Sequence, residues 1–184
     1  MWLPRQVHGV RVVTAAPGSE RVEADGVVTD TAGLLVGVVT ADCVPVLLVA
    51  PRRRVAAAVH AGWRGASAGI VTTALAHLRS AFDVEPHEIE AALGPAIGPC
   101  CYEVGPEVRA AFTALSGDVT ASAWSHRRDR DVLDLRGALE TLLRHDGVKC
   151  VVHVGPCTRC STGYCSYRRD GVDAGRQVSF IGWA

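Results

Sequence analysis

The stretch that decides the fold is Thr40–Gly65, TADCVPVLLVAPRRRVAAAVHAGWRG. It contains two short apolar runs, Val44–Val49 and Val55–Val59, which are typical of buried strands because they are rich in small or β-branched residues and end at turn residues. A proline and three arginines separate the two runs. If the two strands pair, Cys43 before the first lies beside His60 after the second. The sequence therefore predicts a thiol and an imidazole at one sheet edge.

Size and composition indicate a single globular domain over residues 1–184. The chain is 48% hydrophobic, and its 19 basic residues balance its 19 acidic ones. This neutral balance gives no electrostatic basis for binding nucleic acid. No apolar run reaches the roughly 20 residues of a bilayer span, so no membrane partner is expected. Seven cysteines, an odd number, and an N-terminus unlike a signal peptide favour a reducing, cytoplasmic compartment.

The pattern of apolar residues outside this stretch predicts a mixture of strands and helices. Helical spacing predicts helices at Ser67–Phe82, Pro106–Leu115 and Leu133–His145. Further strands are expected at Gly9–Thr14, Asp25–Thr29, Leu34–Val39, Ile89–Leu93, Val148–Val154 and Val178–Trp183. We expect Ser116–Asp131 to be a polar connection and Gly155–Gly175 a long loop. Because strands and helices do not alternate regularly, a mixed-sheet α/β sandwich is favoured over a doubly wound parallel sheet.

Three interpretations are open for Cys43 and His60. Cys43 can be a small buried hydrophobe and His60 an interior histidine with its hydrogen bonds satisfied. The two can instead form a nucleophilic pair in which the imidazole promotes the thiolate. They can also ligate a metal, because a thiolate with imidazoles suits zinc or copper. His8, before another predicted strand, is then the natural third ligand.

Arginines near glycines are the second group of interest. Gly62 and Gly65 let the backbone approach a ligand closely, and Arg64 between them can clamp an anion such as phosphate. Arg168 and Arg169 can bind an anion or pair with the acidic residues nearby. Arg64 can equally be a solvated surface side chain.

The C-terminal third of the chain offers a separate group of metal-ligating residues. Cys157 and Cys160 have the spacing of one half of a zinc knuckle, but no second C-x-x-C is present. Other potential ligands in this region are Cys150, His153 and Cys165. The signature of the zinc nucleobase deaminases is absent, because Gly62 stands where their H-x-E motif needs a glutamate.

Six motifs, in order along nearly the whole chain, resemble the YfiH-like family, also called multicopper polyphenol oxidase (laccase) domain proteins. The motifs are QVHGVRV (Gln6–Val12), ADGVVTD (Ala24–Asp30), TADCVPVLL (Thr40–Leu48), VHAGWRG (Val59–Gly65), GPAIGPCCYEVG (Gly94–Gly105) and CTRCSTGYCSYRRDGVDAGRQVSFIGW (Cys157–Trp183).

The resemblance implies a fold, a metal site and an activity. The expected fold is a layered α/β/β/α-type sandwich with mixed sheets, related to the cytotoxic necrotizing factor deamidase. The expected metal ligands are His8, Cys43 and His60, holding zinc, with copper as the alternative. The implied activities are phosphorolysis of adenosine, inosine and methylthioadenosine, and deamination of adenosine. The implied partners are purine nucleosides and inorganic phosphate, and we expect a monomer or weak homo-oligomer.

Two departures from the family pattern are visible. Family members carry a longer segment before the Q-x-H-G motif, so this chain is expected to lack it. Cys165 stands where the family tends to have an aromatic residue, so we do not expect it to be a ligand.

For the implied reaction, His8, Cys43, His60 and Arg64 are the predicted catalytic residues. Asp42 is expected to orient a metal ligand. The alternatives are a copper-dependent phenol oxidase, a metal-free Cys–His hydrolase, and a binding module without turnover.

Overall fold

The computed structural model describes residues 1–184 and contains eleven strands in three sheets. They are β1 (Val12–Thr14), β2 (Gly26–Thr29), β3 (Val36–Thr40), β4 (Val44–Ala50), β5 (Val55–Ala61), β6 (Glu90–Leu93), β7 (Glu103–Val104), β8 (Trp124–Arg127), β9 (Arg130–Leu133), β10 (Cys150–His153) and β11 (Gln177–Ile181). The predicted pairing of the two central apolar runs is confirmed, because β4 and β5 form an antiparallel hairpin closed at Pro51–Arg54.

The largest sheet is mixed and has the order β1-β2-β5-β4-β6-β10. Its outer pairs, β1 with β2 and β6 with β10, are parallel, and its inner pairs are antiparallel. Strands β3 and β11 form a two-stranded ribbon, and β7, β9 and β8 form a small third sheet. The predicted mixed-sheet α/β sandwich is therefore confirmed.

Five helices accompany the sheets: α1 (Trp63–Ser67), α2 (Ile70–Phe82), α3 (Pro106–Ser116), α4 (Leu135–His145) and α5 (Tyr167–Asp170). The apolar faces of α2, α3 and α4 pack with the large sheet in a core of 33 buried residues. A smaller core of six buried residues, including Trp2, Val38 and Ala58, lies between the ribbon and the other face of the sheet. Strand β5 is consequently buried along its whole length, as expected for a strand covered on both faces.

Three local predictions need correction. The helix expected at Ser67–Phe82 begins at Ile70, as α2, because Gly69 adopts a left-handed conformation (φ 88°) that separates α2 from the short helix α1. The connection Ser116–Asp131 contains most of the β8–β9 hairpin, which period-two analysis missed because its strands are largely polar. The loop Gly155–Gly175 contains the short helix α5, whose first turn is capped by the Ser166 side chain accepting from the Arg169 N–H.

Candidate functional site

The β4–β5 register places Cys43 and His60 on the same face of the sheet. Val44 pairs with Ala61, so Cys43, one residue before β4, lies opposite Gly62, one residue beyond β5. Side chains alternate along a strand, and cross-strand partners share a face, so Cys43 projects to the same side as His60. The convergence predicted from the sequence follows from this register.

His8 reaches the site from a loop that Asp25 holds in place. The Asp25 carboxylate accepts hydrogen bonds from the backbone N–H groups of Val7 (3.2 Å), His8 (2.9 Å) and Gly9 (2.7 Å). These bonds hold His8 in a left-handed conformation (φ 60°), which is uncommon for a residue other than glycine. Asp25 also accepts from His60 Nδ1 at 2.8 Å. The role of Asp25 could not be predicted from the sequence, because this residue stands at the start of an otherwise apolar strand.

The three side chains fit a metal ion. One ligand atom from each of His8, Cys43 and His60 lies within 4.8 Å of the others, and Cys43 Sγ is 3.9 Å from His8 Nε2. Because His60 Nδ1 is engaged by Asp25, Nε2 is the nitrogen left for a metal, the usual arrangement of a ligating histidine. Two imidazoles and a thiolate suit zinc or copper, and a three-ligand site leaves a coordination position open. The ligand role itself stays a prediction.

Gly62 leaves the space that these side chains occupy. A Cβ at this position would lie 2.9 Å from Cys43 Sγ and 3.0 Å from His8 Cδ2. The Gly62 backbone is extended, with φ −75°, so its lack of a side chain is required by this close approach and not by backbone conformation.

The titrating groups of the site favour a charged pair. Burial would raise the pKa of the Cys43 thiol, but hydrogen bonds and charges from His60 and His8 lower it to about 7. Burial would lower the pKa of His60, but hydrogen bonds and charges from Asp25 and Cys43 raise it to about 9. Burial opposes ionisation of Asp25, yet the His60 contact and backbone N–H groups lower its pKa below the usual 3.8. Without metal, these pKa shifts favour a thiolate beside an imidazolium once the pH rises above about 7.

A cavity of about 580 Å³ opens in front of the three side chains. Its volume lies in the roughly 300–1,000 Å³ range of small-ligand pockets. Its walls combine aromatic rings with cationic groups. They are formed by Gln6, His8, Val39, Thr40, Ala41, Asp42, Cys43, His60, Trp63, Arg64, Ile97, Tyr102, Tyr167, Arg168 and Arg176.

The structure separates the three predicted anion-binding arginines. Arg64 lines the cavity with its guanidinium 4.4 Å from the Trp63 ring, and Arg168 lines it 5.3 Å from the Tyr102 ring. Arg169 does not line the cavity, because its guanidinium pairs with Asp170 and donates to four backbone carbonyls of its own loop. Of the two alternatives predicted for Arg169, the structure therefore supports pairing with a nearby acidic residue and not anion binding. Arg176, which sequence analysis did not single out, takes its place in the lining.

The expectation that Asp42 orients a metal ligand is also wrong. Its carboxylate accepts from the Thr158 hydroxyl at 2.6 Å and from the Arg168 N–H at 2.6 Å. Asp42 therefore anchors the C-terminal segment to the cavity, while Asp25 makes the contact to His60.

Only two of the potential metal ligands in the C-terminal third, Cys157 and Cys160, belong to a ligand cluster. Cys157 and Cys160 form a group with Cys100 and Cys101, so the partners of the C-x-x-C pair come from a distant loop. The other potential ligands of this region lie outside that group: His153 Nε2 is 2.9 Å from Glu140, and neither Cys150 nor Cys165 belongs to a ligand cluster.

Comparison with known families assigns the whole chain to one of them. The model of the family described as multi-copper polyphenol oxidoreductase laccase matches residues 1–184. The chain belongs to this family. Its fold is also that of the crystal structure of Bacillus licheniformis hypothetical protein YfiH, with a TM-score of 0.92 and 30% identity. That alignment covers 99% of this chain and 73% of the other.

Relatives of this chain carry names that describe an activity. A purine nucleoside phosphorylase of Clostridium acetobutylicum is 35% identical over 179 residues, which are 96% of this chain and 74% of the relative. The adenosine deaminase RL5, from an unknown prokaryotic organism, is 34% identical over 199 residues, covering 97% of this chain and 73% of the relative. None of the helices is both long enough and apolar enough to span a membrane.

Proposed function

We propose that this chain is an enzyme, a purine nucleoside phosphorylase that also deaminates adenosine, with zinc held by His8, Cys43 and His60. The observation that carries the proposal is the convergence of these three side chains at a cavity lined by three arginines. The names of the two relatives support both activities.

Phosphorolysis needs phosphate at the anomeric carbon of the ribose and a purine able to leave. Arg64, Arg168 and Arg176 would supply the positive charge that holds phosphate, since guanidinium groups bind phosphate oxygens in pairs. The ribosyl group becomes cation-like as the purine departs, as in glycoside cleavage. A phosphate held next to it would stabilise that charge and then form the new C–O bond.

The aromatic residues of the cavity suit the purine. Burial raises the pKa of Tyr102, and so does the nearby Cys43 charge, so its phenol stays protonated and can donate a hydrogen bond. The rings of Trp63 and Tyr167 lie in the same lining and offer surface for a flat base.

A zinc ion held by these three ligands would have an open coordination position, where it would activate a substrate or water oxygen as a Lewis acid. The protein's own contribution is positional: Asp25 fixes the tautomer of His60 and the backbone that carries His8. Deamination would use the same open position but would not require phosphate.

A metal-free Cys–His hydrolase is the second candidate, favoured by the lowered pKa of Cys43. In that case the thiolate would be the nucleophile and His60 the acid. A copper-dependent phenol oxidase, which the family description suggests, is the third.

The test is a phosphate-dependent assay for free purine and ribose 1-phosphate from adenosine and inosine, with ammonia release from adenosine measured separately. We expect both activities in the zinc-loaded protein, their loss on chelation, and their loss in Cys43→Ala. The matched control is Cys150→Ser, at an exposed cysteine outside the cavity, which should keep both. Turnover that survives chelation but not alkylation of Cys43 would favour the hydrolase. Oxygen consumption with a phenol in place of phosphorolysis would favour the oxidase.

A further inference from the structure

Four cysteines form a second cluster of potential metal ligands, separate from His8, Cys43 and His60. Cys100 and Cys101 lie in the irregular segment after β6, and Cys157 and Cys160 lie in the segment after β10. Their four sulfur atoms all lie within 4.8 Å of one another. The thiols are free, and each can offer one sulfur to the same point.

The sulfur separations suit a shared metal ion better than a disulfide. Cys160 Sγ lies 3.3 Å from Cys101 Sγ and 3.6 Å from Cys100 Sγ. In a tetrahedral zinc site with Zn–S bonds of about 2.3 Å, neighbouring sulfurs lie about 3.8 Å apart. A disulfide bond would need about 2.05 Å between two sulfurs, which is shorter than either of these separations.

Backbone hydrogen bonds hold the two cysteine segments side by side. The Gly98 N–H donates to Cys157 Sγ at 3.2 Å, the kind of contact that supports a metal-bound thiolate. Ala96 and Cys157 form an isolated parallel bridge, and the Thr158 N–H donates to the Ala96 carbonyl at 3.0 Å. The Arg127 guanidinium, which donates to the Cys100 carbonyl at 3.0 Å, adds a positive charge beside the cluster.

We propose that Cys100, Cys101, Cys157 and Cys160 bind a structural zinc ion. Binding replaces thiol protons with the metal and releases them to solvent, so no oxidant is needed. Four protein ligands fill a tetrahedral site, which leaves no position for chemistry. The proposal does not depend on the activity of the Cys43 site.

The zinc ion would connect two chain segments that form or support walls of the cavity in front of Cys43. The segment that carries Cys100 and Cys101 also supplies Ile97 and Tyr102 to the lining. The segment that carries Cys157 and Cys160 includes Thr158, whose hydroxyl bonds to Asp42. Zinc at the four cysteines would therefore fix the position of both segments relative to the cavity.

The first experiment counts zinc by native mass spectrometry of the purified full chain. We expect two zinc ions in the wild type and one in Cys43→Ala. Adding Cys160→Ser to that variant should remove the remaining ion, whereas adding Cys150→Ser or Cys165→Ser should not, because these thiols lie outside both clusters. A Cys43→Ala protein that binds no zinc would overturn the proposal.

The second experiment leaves the four cysteines intact, so it does not depend on whether Cys160→Ser folds. X-ray absorption of the zinc in Cys43→Ala should show four sulfur neighbours and no nitrogen or oxygen. Cobalt in place of zinc should give the intense thiolate-to-metal absorption of a four-sulfur site. Nitrogen or oxygen neighbours, or a Cys101–Cys160 disulfide in protein purified without reductant, would overturn the proposal. A wild type that binds a single ion with four sulfur neighbours would support this site while contradicting zinc at the Cys43 site.

Discussion

The Asp25 carboxylate lies 2.8 Å from His60 Nδ1, and both side chains are out of solvent, with Asp25 0% and His60 3% exposed. The same carboxylate accepts the backbone N–H groups of Val7, His8 and Gly9. One buried side chain thus positions two of the three proposed metal ligands.

Replacing Asp25 with asparagine should therefore weaken the proposed metal site and the fold together. The asparagine amide must turn its N–H₂ group toward the backbone N–H donors or toward His60. The variant therefore loses hydrogen bonds to a charged acceptor, each worth about 1.5–3 kcal/mol. We expect lower stability in chemical denaturation and a 10–100-fold loss of zinc affinity, typical when a ligand loses its hydrogen-bond partner. The control is Asp134→Asn at the N-cap of α4, where asparagine caps equally well. Zinc affinity equal to wild type in Asp25→Asn would contradict the assigned role.

Gly62→Ala should abolish metal binding at the Cys43 site while leaving the fold intact. The new methyl group would lie 2.9 Å from Cys43 Sγ, so the thiol or His8 must move, but the extended backbone accepts alanine without strain. We expect an unchanged unfolding midpoint and the loss of zinc from this site, measured by competition with a chromogenic chelator. Gly163→Ala, where the nearest neighbour of a Cβ is 4.0 Å away, is the matched control. Normal zinc binding by Gly62→Ala would rule out the proposed ligand geometry.

The β4–β5 hairpin and the convergence of Cys43 with His60 could be predicted from the sequence. Two apolar runs flank a proline turn, and only one pairing register of the two strands buries the apolar side chains of both. His8 was predicted as the third ligand, but the loop conformation that brings it to the site was not, because it depends on hydrogen bonds to Asp25 that no periodicity reveals. The partners of Cys157 and Cys160 were equally hidden. Cys100 stands 60 positions from Cys160, and the two segments come together through tertiary contacts, the pairing of β6 with β10 among them.

The arginines show a different limit of sequence reasoning. Arg168 and Arg169 are adjacent and chemically identical, yet one lines the cavity and the other is consumed by loop carbonyls. The two side chains point in different directions because Ser166 caps α5 and the Asp42 carboxylate accepts from the Arg168 backbone N–H. Spacing alone cannot distinguish them.

Thr158→Val should loosen the C-terminal wall of the cavity. The substitution keeps the shape of the side chain but leaves a buried Asp42 oxygen without its 2.6 Å partner, at a cost of about 1–3 kcal/mol. We expect a raised KM for nucleoside with the zinc content of the Cys43 site unchanged. Thr113→Val, on the exposed face of α3, is the matched control. Equal KM values in the two variants would show that this contact does not shape the cavity.

The thiolate of Cys43 should be detectable in metal-free protein by its alkylation rate. Because its pKa is lowered from 9.0 to about 7, the reactive thiolate forms as pH rises through about 7, two units below an ordinary thiol of this kind. We expect the rate of iodoacetamide labelling, followed by peptide mass spectrometry, to reach half its maximum there. His60→Gln should move that midpoint upward, and zinc should protect the thiol. A midpoint that stays at the ordinary thiol value in wild type would contradict the thiolate–imidazolium pair.

Arg64→Gln should separate the two proposed activities. Arg64 lines the cavity and would contact phosphate, so its neutral replacement loses a charge-assisted bond worth about 1.5–3 kcal/mol, or roughly tenfold or more in the KM for phosphate. Deamination of adenosine needs no phosphate, so its rate should change little. Arg52→Gln, in the exposed turn between β4 and β5, provides the same charge change away from the cavity. If Arg64→Gln slows deamination as much as phosphorolysis, Arg64 positions the nucleoside and not the phosphate.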